Sequence, residues 1–442
     1  MPAVPGRGVD VSCGAMGCLG AMRGAVAGRR KPAIIGQGLR NGRRCYRRPV
    51  PRLLLLFSAV NLVIGTAAFA VTGILVPIAE GLGVGVPAAG QAMTVYALAT
   101  ALLAPWVLLA TGRWRRRSVL LLAMGLFSAG AMLSALAPNL SLFLAGRVLM
   151  GVGAVFTPAA AGIAIALVDP ARRGQALALV FLGMSLAYVV GVPIVSWVGL
   201  GWGWRAALGM NAVLALAAWA LLAWKVPREI AAPGASFAGI GGVLRRPAVL
   251  AVLLLTLAYF TAIFGVFSYI GPVLKALVPM SAERLSVTLS LFGVAGVLGT
   301  LSGGAANDRF GPWRTLWTQL IVLGTMMVLL PLTAGHWGWL VLVMMVWGVA
   351  GFGMMAPQQS RLASMAPREA PLLLSLNTSM LYFGTALGAA LGGLAAPALG
   401  FARLSWLGVL AVSVAILILA AATRIERTER RARLADAAAG HT

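Results

Sequence analysis

Acidic residues are scarce in this chain of 442 residues: ten Asp and Glu stand against 35 Lys and Arg, a formal net charge of +25. Histidine is scarcer still. With only His336 and His441, a histidine-based metal site or a Ser-His triad has nothing to build on. Cys13, Cys18 and Cys45 all lie in the first 50 residues, without CxxC or CxxH spacing, and read as reduced thiols in a cytoplasmic tail. Lys31, Lys225 and Lys275, the whole lysine complement, precede Pro, Val and Ala, so no GxxxxGK[ST] phosphate loop exists. The chain is therefore not expected to be an enzyme, and neither a metal nor a cofactor is expected in it.

Apolar residues are what the chain has in abundance. They make up 60% of it and charged residues only 10%, where a soluble domain carries about a quarter charged. A bilayer core of ~30 Å takes about 20 apolar residues in a helix, which satisfies its own backbone. Twelve stretches qualify, from Leu53–Ile78 to Leu404–Ala422. They group into a basic N-terminal tail without periodicity (1–52), a first bundle of six helices (53–224), a cytoplasmic linker (225–247), a second bundle of six (248–422) and a C-terminal cytoplasmic tail (423–442). With residue 1 inside, thirty of the 35 basic residues fall on the cytoplasmic side and four outside, namely Arg205, Lys275, Arg284 and Arg403. That positive-inside bias puts both termini in the cytoplasm and explains the net charge without a nucleic-acid partner. Arg147, within the fourth stretch, is the one basic residue that topology leaves over.

The chain repeats itself. An offset of 197 residues carries Thr111 onto Asp308, Arg117 onto Arg314, Pro170 onto Pro367 and Gly191 onto Gly388. Six spans per repeat give both halves one orientation, the parallel repeat of a two-bundle transporter with its site between the bundles. The second half carries Gly304-Ala-Ala-Asn-Asp308-Arg309-Phe-Gly311, matched in the first by Thr111-Gly-Arg-Trp-Arg-Arg-Arg117. Leu144-Ala-Gly-Arg147-Val-Leu-Met-Gly151 surrounds the intramembrane arginine, and Gly191-Val-Pro193 precedes Gly203-Trp-Arg205. In these residues the chain resembles the major facilitator superfamily, and within it the arabinose-efflux-permease branch of the drug:proton antiporters, over residues 53 to 422. The resemblance implies a small-molecule substrate, export by alternating access, protons as coupling ion, a functional monomer and a bacterial cytoplasmic membrane with its lipids as surroundings. Sugar or metabolite export, an uncoupled facilitator, and a transport-inactive scaffold or sensor are the alternatives.

Three positions depart from that branch. Gly65-Thr-Ala-Ala68-Phe69 lacks the glutamate usual in the first helix, Thr111 replaces an aspartate, and Val195 stands where a second glycine is common. All ten acids lie outside the interior of the spans, so the usual proton site is missing. Asn61, Thr72, Arg147, Tyr188, Tyr259, Phe260, Asn377 and Tyr382 are the candidates for a largely apolar substrate path. For Arg147 two roles stay open: a functional one, contact with an anionic or carbonyl-bearing substrate or the influence on proton movement that the resemblance implies, and a structural one, a lock onto backbone carbonyls or Asn61. Gly304, Asp308, Arg309, Gly311 and Arg314 are the candidate cytoplasmic gate, with Asp308 paired to Arg309 or Arg314 and set against the start of the fifth helix near Arg173 and Gly174. Gly191, Pro193, Gly384, Gly388 and Gly392 are expected to serve helix packing.

Overall fold

The structure is a computed structural model that describes residues 50–168, 173–228, 230, 245–365 and 370–439. Residues 1–49 of the expected N-terminal tail and most of the expected linker lie outside the described residues, and the last three of the expected tail open the first helix. Within these residues, eleven helices are long and apolar enough to cross a membrane. One of them, Ala282–Thr333, has 52 residues, ~78 Å at 1.5 Å per residue and more than twice the hydrocarbon core. It turns back at Gly311, whose φ of 77° only glycine adopts without strain, and so crosses twice. Twelve spans result.

In chain order the spans are Val50–Gly73 continuing as Leu75–Leu82, Val86–Ala110, Arg116–Leu136, Leu140–Gly153 with Phe156–Ala166, Arg173–Leu186 with Val192–Gly201, and Trp204–Lys225. The second six are Pro247–Phe267 with Ile270–Leu277, the two arms of Ala282–Leu329, Trp337–Gly353 with Met355–Met365, Ala370–Leu399, and Ser405–Ala439. The last of these carries helix well beyond the membrane, through most of the expected C-terminal tail. Arg, Glu and Ala favour helix there, and Glu426 and Glu429 each precede an arginine by four residues.

Proline sets the interruptions in spans one, four, seven and ten. Pro77, Pro158, Pro272 and Pro357 each occupy the third position of the continuing segment. Proline has no N–H for the carbonyl four residues back and its ring crowds that carbonyl, so the helix breaks just before it. The first and seventh spans break alike: Ile74 has φ −116° and ψ 24°, Tyr269 φ −115° and ψ 24°. The 197-residue offset recurs in Gly203 and Gly400, with φ of 94° and 71° at matching outer turns.

Each half is tied together internally by one buried polar cluster at corresponding depth. In the first, Asn61 donates to the Val180 carbonyl (2.9 Å) and accepts from the Thr157 hydroxyl (2.7 Å), joining spans one, four and five. In the second, Gln358 donates to Thr256 Oγ1 (3.0 Å) and to the Val252 carbonyl (2.6 Å), and Thr256 donates to Asn377 (2.6 Å), joining spans seven, ten and eleven. Val180 and Asn377 are 197 positions apart. Hydrocarbon offers no alternative partner, so these bonds hold the helices of one half as a unit.

Candidate functional site

Between the halves lies a continuous cluster of aromatic rings. Phe69 of the first span and Tyr188 of the fifth stand 4.7 Å apart, centroid to centroid. Phe69 reaches Phe264 across the interface at 5.9 Å, and Tyr188 reaches Phe352 at 5.0 Å and Phe267 at 6.1 Å. From there the rings continue through Phe292, 5.2 Å from Phe267, to Trp347, 5.4 Å from Phe292. Most contacts are tilted or edge-on, within the range where aromatic pairs add to simple burial. Tyr188 owes its place to a widened, π-helical turn over Ala187–Gly191, where the Val192 N–H reaches back to the Ala187 carbonyl. Such single-turn bulges re-aim the side chains that follow.

The halves close on one another from this cluster outward. Gly293 of the eighth span abuts the Tyr188 carbonyl so closely that any side chain there would collide with it. Gly271 faces the Thr72 and Gly73 carbonyls, and the Tyr269 hydroxyl lies 3.5 Å from the Pro87 carbonyl of the other half and donates to that of Ala389 at 3.0 Å. Leu285 and Leu289 are buried on the outer part of the eighth span, as are Val192 and Ser196 on the fifth. Toward the cytoplasm the packing ends: Phe181 is 44% exposed, Leu301 67%, and Thr300 is exposed. The interface is sealed outside and parts inside.

Of the residues expected along the path, Tyr188 and Phe260 belong to the ring cluster, Phe260 stacking on Phe264 at 6.2 Å. Tyr259 packs beside Phe260 but is fully buried, its hydroxyl donating to the Ala350 and Gly351 carbonyls at 2.6 and 3.1 Å. Tyr382 is half-buried and packs against the hydrophobic core. Asn61 and Asn377 are instead buried in the clamps, and Thr72 donates to the Phe69 carbonyl within its own helix. Phe69, Phe264, Phe267, Phe292, Trp347 and Phe352 are the cluster members that sequence reasoning missed.

Arg147 is 1% exposed and locks three helices. It donates to the Ala67 carbonyl at 3.0 Å and the Ala68 carbonyl at 2.6 Å in span one, and to that of Ala92 in span two at 3.5 Å, with the Tyr96 ring 5.0 Å from the guanidinium carbon. Its oxygen partners are backbone carbonyls, not Asn61, and it also donates to the Met150 sulfur at 3.7 Å.

At the expected gate, Asp308 is exposed and accepts from the Asn307 amide at 3.3 Å; neither Arg309 nor Arg314 pairs with it. Arg309 instead lies 5.3 Å from the Phe310 ring. The pairing fails because all three side chains are solvated, where an ion pair gains little. Arg173 and Gly174, the expected neighbours of Asp308, have side-chain surroundings outside the described set. Gly304 leaves open space beside it, while Gly311 makes the turn. Gly384, Gly388 and Gly392 bring span eleven onto the backbone of span seven, against Leu257, Thr261 and Gly265, and Gly191 meets Thr66. Pro193 follows the π-helical turn. A groove of about 360 Å³ between spans nine and ten, lined by Met326, Leu332, Trp339 and Val346, lies away from the rings on a face of exposed apolar residues that lipid covers.

Residues 57–384 and 280–441 match the family model described as Major Facilitator Superfamily. The chain is 32% identical over 370 residues to the inner membrane transport protein YdhP of Escherichia coli K12, covering 83% of this chain and 94% of that protein. It is 29% identical over 366 residues to the uncharacterized MFS-type transporter YbcL of Bacillus subtilis 168, covering 82% and 94%. Among solved structures it is similar in fold to a bacterial homologue of the human lysosomal transporter Spinster, inward-facing and occupied, at a TM-score of 0.71 and 16% identity over 86% of this chain and 97% of that one. The unoccupied inward-facing form of that homologue matches at 0.67.

Proposed function

The chain belongs to the major facilitator superfamily, and from that premise we propose that it exports small amphiphilic molecules, drugs among them, with the ring cluster as the surface on which they bind. The observation that carries this reading is the cluster itself. It joins both halves at the level where the sealed outer interface gives way to the open inner one. A molecule entering from the cytoplasm meets rings from both halves, so its binding can be felt by the equilibrium between inward and outward forms. Asp308 and its loop are the proposed cytoplasmic gate, engaged when the halves close on that side.

Protons are the coupling ion of the drug:proton antiporters that the sequence resembles. All ten acids, however, lie outside the interior of the spans, and the buried cation Arg147 is committed to backbone carbonyls. Those facts favour a second reading, an uncoupled facilitator of the same fold. Accumulation of amphiphilic dyes in cells expressing the protein, with and without a protonophore, separates the two. Lower accumulation on expression is the expected result, and a panel of amphiphiles unaffected by expression would overturn export. Export that survives the protonophore overturns proton coupling.

A further inference from the structure

We infer that the molecule accepted by the ring cluster is uncharged, flat and aromatic, and carries a hydrogen-bond acceptor to which the Trp347 indole donates. This rests on the transport reading above and names its substrate class. Trp347 is 1% exposed, and its Nε1–H has no acceptor among the described residues. Buried indoles ordinarily find one, because an unpaired donor has given up water for nothing. The Tyr259 hydroxyl, which donates to the Ala350 and Gly351 carbonyls, does not accept from the indole. Around the indole stand Phe267 at 6.5 Å and Phe292 at 5.4 Å, and Ile263 and the indole both flank Gly351. An acceptor oxygen on a ring slotted among these rings supplies the missing bond.

Charge selection follows from Arg147. Its guanidinium sits behind the ring wall, bonded to the carbonyl of Ala68, the residue before Phe69. A cation entering the cluster would shed its hydration facing a fixed positive charge, with no carboxylate in the spans to compensate. Attraction to ring faces works against a cation's desolvation, but that same fixed charge opposes it. An anion finds Arg147 saturated and a single indole donor free, too little to replace its hydration.

The test uses the full chain in lipid nanodiscs, with empty nanodiscs subtracted, and reads displacement of Nile red, an uncharged flat dye with a carbonyl. Anthraquinone and anthracene share a shape and differ in the acceptor; ethidium is a flat cation and anthraquinone-2-sulfonate an anion. Anthraquinone should displace the dye at concentrations about three- to tenfold below anthracene, the worth of one neutral hydrogen bond. Ethidium and the sulfonate should be weaker than anthraquinone. In Trp347→Phe the anthraquinone advantage over anthracene should collapse to within about twofold, whatever the change in anthracene itself. Equal potency of anthraquinone and anthracene on the wild-type protein overturns the indole donor without any variant, as does an advantage that survives Trp347→Phe. Ethidium or the sulfonate matching anthraquinone overturns the charge selection. In cells, ethidium extruded as fast as Nile red sinks this inference and leaves transport standing, whereas extrusion of neither dye sinks the transport reading with it.

Discussion

The two halves share a fold and an offset of 197 residues, yet they differ in what fills their centres. In the second half Phe264, Phe267, Phe292, Trp347 and Phe352 stand where the first has Ala67, Ala70, Val95, Met150 and Val155. In the first half Arg147 stands where the second has the buried Met344. One half holds a charged lock among small side chains, and the other holds rings. The small residues of span one are what the lock requires, since the guanidinium must reach the Ala67 and Ala68 carbonyls directly. Most of the rings come from the second half, and Phe69 and Tyr188 meet them from the first. The difference teaches that a duplicated bundle can be divided into a stiff support and a binding wall without changing its topology.

Arg147→Met breaks this comparison most severely, because it gives the first half the residue of the second. Three hydrogen bonds from a charged donor contribute ~1.5–3 kcal/mol each, against ~2.5–3.5 kcal/mol for placing a guanidinium in hydrocarbon. The bonds win on that count, so the variant should unfold at a temperature several degrees lower in detergent and export at least about tenfold more slowly, while still inserting. A melting temperature at or above that of the wild type would show that the lock does not hold the half together.

The same comparison explains what could be read before any coordinates were known. The twelve spans followed from length and hydropathy, whereas Gly311 was named only with Asp308 as part of the cytoplasmic gate and not as the turn it makes. Tyr188 and Phe260 were within reach as polar or aromatic residues in apolar helices. Phe264, Phe267 and Phe292 were not, because a membrane helix is apolar on every side and periodicity does not mark the face that meets the other half. Aligning the halves at the 197-residue offset would have marked them, as rings present in one copy and absent from the other. Asn61 and Asn377 were misplaced for a related reason: in hydrocarbon a buried amide serves a clamp or a path equally well, and only their partners distinguish the two.

Gly293→Ala sharpens the comparison at the seam. The matching position in the first half is Tyr96, a large ring, whereas Gly293 admits the Tyr188 backbone, with Val189 Cα only 2.7 Å from where a Cβ would sit. Overpacking there costs about 1–3 kcal/mol, borne by the outwardly sealed form, so the balance should move toward outward opening by about five- to a hundredfold. Labelling of Ser196→Cys by a membrane-impermeant maleimide added outside should therefore accelerate, and slower export should accompany it. Unchanged labelling would show that this approach does not seal the outer face.

The smallest effect is expected where the halves differ at their cytoplasmic loops. Thr111 is buried and donates to the Val107 carbonyl at 2.6 Å, closing its own helix, while its counterpart Asp308 is exposed beside Asn307. An exposed carboxylate without an ion pair adds little to stability, so Asp308→Thr should leave the melting temperature within about 1 °C of the wild type. Transport should respond nonetheless, falling severalfold, if Asp308 acts when the cytoplasmic ends meet. That combination, a silent melting curve with a slower cycle, belongs to a group that is idle in the inward form and engaged in the outward one. A rate equal to that of the wild type would reduce Asp308 to a solvated loop acid and leave the two loops equivalent despite their different residues.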